Sequence, residues 1–140
     1  MSAETAQQVH ELFARYFSAG DLDGLISLYE PGATFVPQPG VIVSGHAAIR
    51  EAFKEFLAVK GAFDLQSQTA FHAGDIALLF SSWTLKGVDP KGEPVELSGE
   101  TSDVVRRQAD GRWLLVIDNL NGNLRRQEQE AGSISQKPHA

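Results

Sequence analysis

The apolar positions repeat first with a helical period and then with a strand period. Val9, Leu12, Phe13, Tyr16 and Phe17 recur at i, i+3, i+4, i+7 and i+8, which predicts one face of a helix. Gly20 ends that helix, and Asp21 is a good N-cap for a second, with the stripe Leu22, Leu25, Ile26 and Tyr29. Pro31-Gly32 stops it. Extended segments around 33–36 and 41–43 flank the turn Pro37-Gln38-Pro39-Gly40. After Gly45, the residues Ile49, Ala52, Phe53, Phe56 and Leu57 outline a third amphipathic helix. From Phe63 onward the period becomes two. Leu65, Ser67, Thr69 and Phe71 alternate with Gln66, Gln68, Ala70 and His72, and Gly74-Asp75 turns the chain. The run 76–88 is apolar on both faces, and Asp89-Pro90-Lys91-Gly92 leads into strands at about 94–108 and 112–121. Turns this short make successive strands antiparallel neighbours. The fold expected is α+β: three N-terminal helices packed in a strongly curved antiparallel sheet. Residues 1–121 then form a single domain, and the polar stretch 122–140 reads as a disordered tail.

Composition narrows the function classes. A chain of 140 residues, 42% hydrophobic and 21% charged, suits one soluble globular domain with a real core. Its net charge of −6 argues against nucleic acid and against anionic membrane surfaces as partners. With no cysteine, disulfides, thiolate nucleophiles and Cys-ligated metals are ruled out. No signal-peptide pattern and no apolar run of membrane-spanning length is present, so a cytoplasmic location is the default expectation. The histidines His10, His46, His72 and His139 show no metal-ligand spacing; neither a metal site nor a cofactor is expected.

Asp110-Gly111 is a strong two-residue turn signal between two apolar runs. Folding about it pairs Gln108 with Trp113, Arg106 with Leu115, and Asp103 with Asp118. Asp103 then shares a face with Leu97, Gly99, Thr101 and Val105, and Asp118 with Leu114, Val116 and Leu120. Two carboxylates opposed on an apolar row are destabilising unless they share a proton or meet a partner. A three-residue turn would break this pairing, and a bulge would rotate Asp118 outward. On the same register Leu79, Trp83, Leu85, Trp113, Leu115 and Ile117 fall on the opposite face of the sheet. Such an apolar outer patch predicts a homodimer through the sheet.

Several segments carry a family resemblance. Ala19-Gly20-Asp21-Leu22-Asp23-Gly24-Leu25, Gly32-Ala33-Thr34 and Ser44-Gly45-His46-Ala47-Ala48-Ile49-Arg50-Glu51 are typical of it, as are Thr101-Ser102-Asp103-Val104 and Asp110-Gly111-Arg112-Trp113. Over about 5–121 the chain resembles the ketosteroid isomerase-like and SnoaL-like branch of the nuclear transport factor two-like superfamily. The resemblance implies a conical, cystatin-like barrel whose open end holds an apolar pocket, and commonly a dimer. Steroid isomerases of this kind use an aspartate base, a tyrosine and a protonated aspartic acid. Carried over, the protonated acid falls on Asp103 and the base position on Pro37, which cannot accept a proton. The tyrosine positions fall on Phe13 and Phe53, with Tyr16 one turn beyond Phe13. The resemblance therefore argues against steroid isomerisation by that mechanism.

The candidate catalytic set is Asp103, Asp118 and Tyr16, the last as hydrogen-bond donor to a ligand carbonyl or to the aspartates. Phe13, Phe35, Phe53, Phe56, Thr101, Val116 and Leu120 are the candidate pocket lining. The expected ligand is a small hydrophobic molecule. The first functional reading is cofactor-free acid/base chemistry (isomerisation, dehydration or hydrolysis) on a carbonyl- or epoxide-type compound. The competing readings are a non-catalytic binder of hydrophobic ligands and a dimerisation module with a filled interior.

Overall fold

A computed structural model describes residues 2–122 of the chain. Apart from Gly122, the expected tail lies outside the described residues. Helix α1 (Ala6–Ala19) starts at a capping box, in which Thr5 accepts the Gln8 N–H and the Gln8 side chain accepts the Thr5 N–H. Gly20 ends it at φ 70°, a left-handed conformation that strains a side chain. Asp21 caps α2 (Leu22–Ile26) by accepting the Gly24 N–H. The second helix is shorter than its apolar stripe suggests. Tyr29 leaves it and opens strand β1 (Tyr29–Gln38). The cause is long-range pairing: the Leu115 N–H donates to the Leu28 carbonyl at 2.7 Å, and Tyr29 pairs with Leu115 in parallel register. Strand β2 (Val41–Ser44) and helix α3 (His46–Leu57) follow, then β3 (Lys60–Ala73), β4 (Ile76–Val88), β5 (Pro94–Arg107) and β6 (Trp113–Asn119).

The strands form one six-stranded sheet in the order β2-β1-β6-β5-β4-β3. Every neighbouring pair is antiparallel except β1 with β6. The sheet curls without closing. Helix α1 packs mainly against β3 and α3 mainly against β1, giving an α+β fold with a single buried core. No helix among the described residues is long and apolar enough to cross a membrane.

The two faces of the sheet are filled differently from the sequence expectation. Leu79, Trp83, Leu85, Trp113 and Leu115 belong to the buried core, and of the six residues assigned outward only Ile117 is exposed. Leu79 pairs directly with Asp103 across β4 and β5, so the two side chains share the inner face. The outward apolar residues are instead Phe71, Ile76, Leu78, Phe80 and Ile117.

The β5–β6 hairpin also differs in register. Arg107 faces Trp113, Arg106 faces Leu114 and Val105 faces Leu115, one residue away from the expected pairs. The Gln108 N–H closes on the Arg112 carbonyl at 2.7 Å around a three-residue loop, Ala109-Asp110-Gly111, with Gly111 at φ 91°. The ladder then slips: after Val105–Leu115 the next pair is Val104–Ile117, with Val116 as the extra residue of a bulge. The two offsets cancel. One step beyond Val104 and Ile117, Asp103 and Asp118 stand side by side on the inner face.

Candidate functional site

Asp103 and Asp118 are 2% and 1% exposed, and their carboxyl groups lie within hydrogen-bonding reach of each other. Their other partners differ. Asp103 Oδ1 accepts the Asn119 N–H at 2.8 Å, and its Oδ2 lies 2.6 Å from His10 Nε2. Asp118 Oδ2 accepts the Tyr29 hydroxyl. Asp118 Oδ1 meets no N–H or O–H donor among the described residues, so the facing carboxyls are satisfied once one proton sits between them. Beyond His10 the chain of polar groups continues inward. His10 Nδ1 lies 2.7 Å from Ser81 Oγ, which is 3.2 Å from Thr101 Oγ1. Thr101 Oγ1 also accepts the Ser81 N–H at 3.1 Å.

Burial sets the electrostatics of this chain. It pushes the Asp103 carboxyl up from 3.8 to about 7, against the stabilising Asn119 N–H and the hydrogen bond with Asp118. It pushes Asp118 well above its ordinary range, and the negative charge of Asp103 adds to the effect. It pulls His10 down to about 4, with the charge of Asp118 opposing, so the imidazole is neutral at pH 7. The two acids thus have unequal roles. Asp103, reached by His10 and a backbone N–H, is the one that ionises first, while Asp118 keeps the shared proton.

His10, Ser81, Thr101, Asp103 and Asp118 face a cavity walled on the other side by Phe13, Phe63, Leu65 and Leu120. The space open to the centre of a water molecule is about 10 Å³, roughly one water. Three of the expected lining residues, Phe13, Thr101 and Leu120, are there. Phe35 and Phe53 stack at 4.8 Å in the adjoining ring cluster, where Phe53 meets Phe13 at 5.7 Å. Phe56 reaches that cluster but lines a separate open groove with Pro37, Val43 and Leu97. Val116 is half-buried at the bulge and does not line the cavity. Tyr16 packs beside Gly24, whose absent Cβ would lie 2.5 Å from the Tyr16 ring, and it is likewise not part of the lining. The tyrosine on the dyad is Tyr29. Sequence reading missed Tyr29, His10 and Ser81. For His10 a signal existed: it stands three residues before Phe13 and seven before Phe17, on the buried face of α1.

Residues 9–116 match the family model described as a SnoaL-like domain. The chain belongs to the SnoaL-like domain family. Comparison with curated proteins gave no match. Among solved structures, this SnoaL-like domain is similar to a nuclear transport factor 2-like superfamily protein from Salmonella enterica, with 17% identity and TM-score 0.74. That match covers 85% of this chain and 89% of the other. A protein from Streptomyces avermitilis, provisionally named a dehydratase of the same superfamily, is 20% identical over 86% of this chain and 95% of its own, with TM-score 0.73. A protein from Shewanella frigidimarina, provisionally named a ketosteroid isomerase, is 19% identical over 81% and 92%, with TM-score 0.67. At these identities the likeness establishes the shared fold, and the chemistry of the SnoaL-like domain has to be argued from its own residues.

Proposed function

We propose that this SnoaL-like domain carries out cofactor-free acid/base chemistry on a small hydrophobic carbonyl- or epoxide-type compound, by isomerisation, dehydration or hydrolysis. The observation that carries the reading is the buried Asp103–Asp118 pair, joined to His10 on one side and Tyr29 on the other. Asp103 is the base: once ionised, it takes a proton from a ligand carbon or from a water in the cavity. Asp118 is the acid: it delivers the shared proton to the carbonyl or epoxide oxygen, with Tyr29 fixing its orientation. Direct contact between the carboxyls lets the proton return from Asp103 to Asp118 after each cycle. The provisional names of the Streptomyces and Shewanella proteins, dehydratase and isomerase, point to the same class of proton transfer.

The test is turnover, or deuterium exchange at the ligand's acidic carbon, over a panel of small cyclic ketones, β-hydroxy ketones and epoxides. Asp103→Asn and Asp118→Asn should each lower the rate by roughly 100-fold or more, the usual contribution of a positioned acid or base. Full activity in both variants would remove the dyad from the chemistry.

A second reading, a dimerisation module without chemistry, is favoured by one observation. The interior is largely occupied by the rings of Phe13, Phe35, Phe53, Phe63 and Trp83, leaving about one water's space beside the acids. In either reading we assign the outward apolar residues Phe71, Leu78, Phe80 and Ile117 to a homodimer interface.

A further inference from the structure

Proton exchange within the carboxyl pair leaves Ser81 and His10 unused, and with Asp103 they make a second constellation. Ser81 Oγ lies 2.7 Å from His10 Nδ1, and His10 Nε2 lies 2.6 Å from Asp103 Oδ2. The three side chains come from β4, α1 and β5, are 4%, 4% and 2% exposed, and all face the same cavity. With His10 neutral and its Nε2–H given to the Asp103 carboxylate, the Nδ1 lone pair faces the Ser81 hydroxyl. This is the sequence of nucleophile, base and orienting acid found in acyl-transfer sites, with the two ring nitrogens interchanged. Thr101 fixes the serine by accepting its N–H and meeting its Oγ.

We propose that Ser81 is a nucleophile, activated by His10 and oriented through Asp103, that takes the acyl group of a small ester. Ser81 Oγ bonds to the carbonyl carbon while its proton passes to His10 Nδ1, and the carbonyl π electrons move onto oxygen. Asp118, a protonated acid lining the same cavity, is the donor that meets this oxygen. Collapse of the tetrahedral species breaks the bond to the alcohol, which leaves with the proton from His10 Nδ1. A water then repeats the sequence on the acyl-serine and releases the carboxylic acid. The cavity space of about one water is smaller than an acetyl group, so acylation requires Phe13, Phe63 or Leu65 to move aside, and each further carbon of the acyl group demands a larger displacement.

The probe is methanesulfonyl fluoride, a small serine-directed reagent, incubated with the full chain and followed by intact mass and peptide mapping. The expected result is one adduct on Ser81, absent in Ser81→Ala and formed roughly 100-fold more slowly in His10→Gln. In the unsubstituted chain the labelling rate should rise with pH through about 7 as Asp103 ionises. The titratable groups around Asp103 are His10 from α1, Tyr29 from β1 and Asp118 from β6. No adduct at Ser81, or a labelling rate independent of pH, overturns the proposal, and neither result requires a substituted chain to fold. A chain that exchanges ligand protons but forms no adduct overturns this inference alone. One that labels at Ser81 but exchanges no ligand protons overturns the proton-transfer reading alone.

Discussion

Asp103, Asp118 and His10 carry their burial as a pH dependence of stability. The folded state raises Asp103 from 3.8 to about 7 and Asp118 well above its ordinary range, so both hold protons that the unfolded chain has released. Their contribution is complete below about pH 4 and is lost as pH rises through their folded values. His10 works in the opposite direction. Its folded value of about 4 against 6.5 means its contribution is complete above pH 6.5 and is lost as pH falls through 4. Between pH 4 and 6.5 two acids oppose one histidine, leaving a net excess of one proton in the folded state. Stability therefore falls with rising pH by about 1.4 kcal/mol per unit per net proton. Urea unfolding should give a lower midpoint at pH 8 than at pH 5, and the Asp103→Asn, Asp118→Asn double variant should flatten or reverse that trend. A midpoint that rises toward pH 8 in the unsubstituted chain would contradict the assignment. Both acids were legible in the sequence because a charged residue on an apolar strand row has to be explained. Their partners were harder to read: His10 sat within a helix stripe read only for its apolar members, and Tyr29 matched a helical period that sheet pairing overrode.

At the scale of elements, the site depends on Val116. The Asp110-Gly111 pair marked the hairpin correctly, but that dipeptide suits a two-residue turn and the second half of a three-residue loop equally well. Loop length was therefore not readable, and neither was the bulge that compensates for it. The bulge lets Trp113 and Leu115 face inward before it and Asp118 face inward after it. Deleting Val116 forces a choice. Either Leu115 keeps its place and Asp118 turns to the outer face, or Asp118 keeps its place and Trp113 and Leu115 leave the core. Each outcome exposes or strands groups worth several kcal/mol, on the order of 2–5 for a large core side chain alone. Val116→Ala, at a half-buried position, should cost no more than about 1 kcal/mol. Thermal melts by circular dichroism should separate the two variants widely; similar melting temperatures would mean that the bulge does not set the register.

Across the whole molecule, the alternation that turns Asp103 and Asp118 inward turns an apolar row outward. Phe71, Leu78, Val104 and Ile117 are successive cross-strand partners over β3, β4, β5 and β6, and Phe80 packs on Phe71 with ring centroids 5.9 Å apart. Phe71 is 60% exposed. The sequence foretold an apolar outer face but filled it with the wrong members, because a strand apolar on both sides, such as 76–88, gives no parity signal. A contiguous apolar row of this kind is uncommon on a protein that stays monomeric, and a sheet face can meet a copy of itself about a two-fold axis. Light scattering should then return the mass of two protomers. Phe71→Lys with Leu78→Lys places four like charges at the centre of such an interface and should return the mass of one, with the circular dichroism spectrum retained because neither side chain belongs to the core. Mass action supplies a second reading of the same equilibrium. If folding and association are linked, the melting temperature of the unsubstituted chain rises with protein concentration and that of the double variant does not. A single-protomer mass together with a concentration-independent melt would remove self-association as the cover for this face.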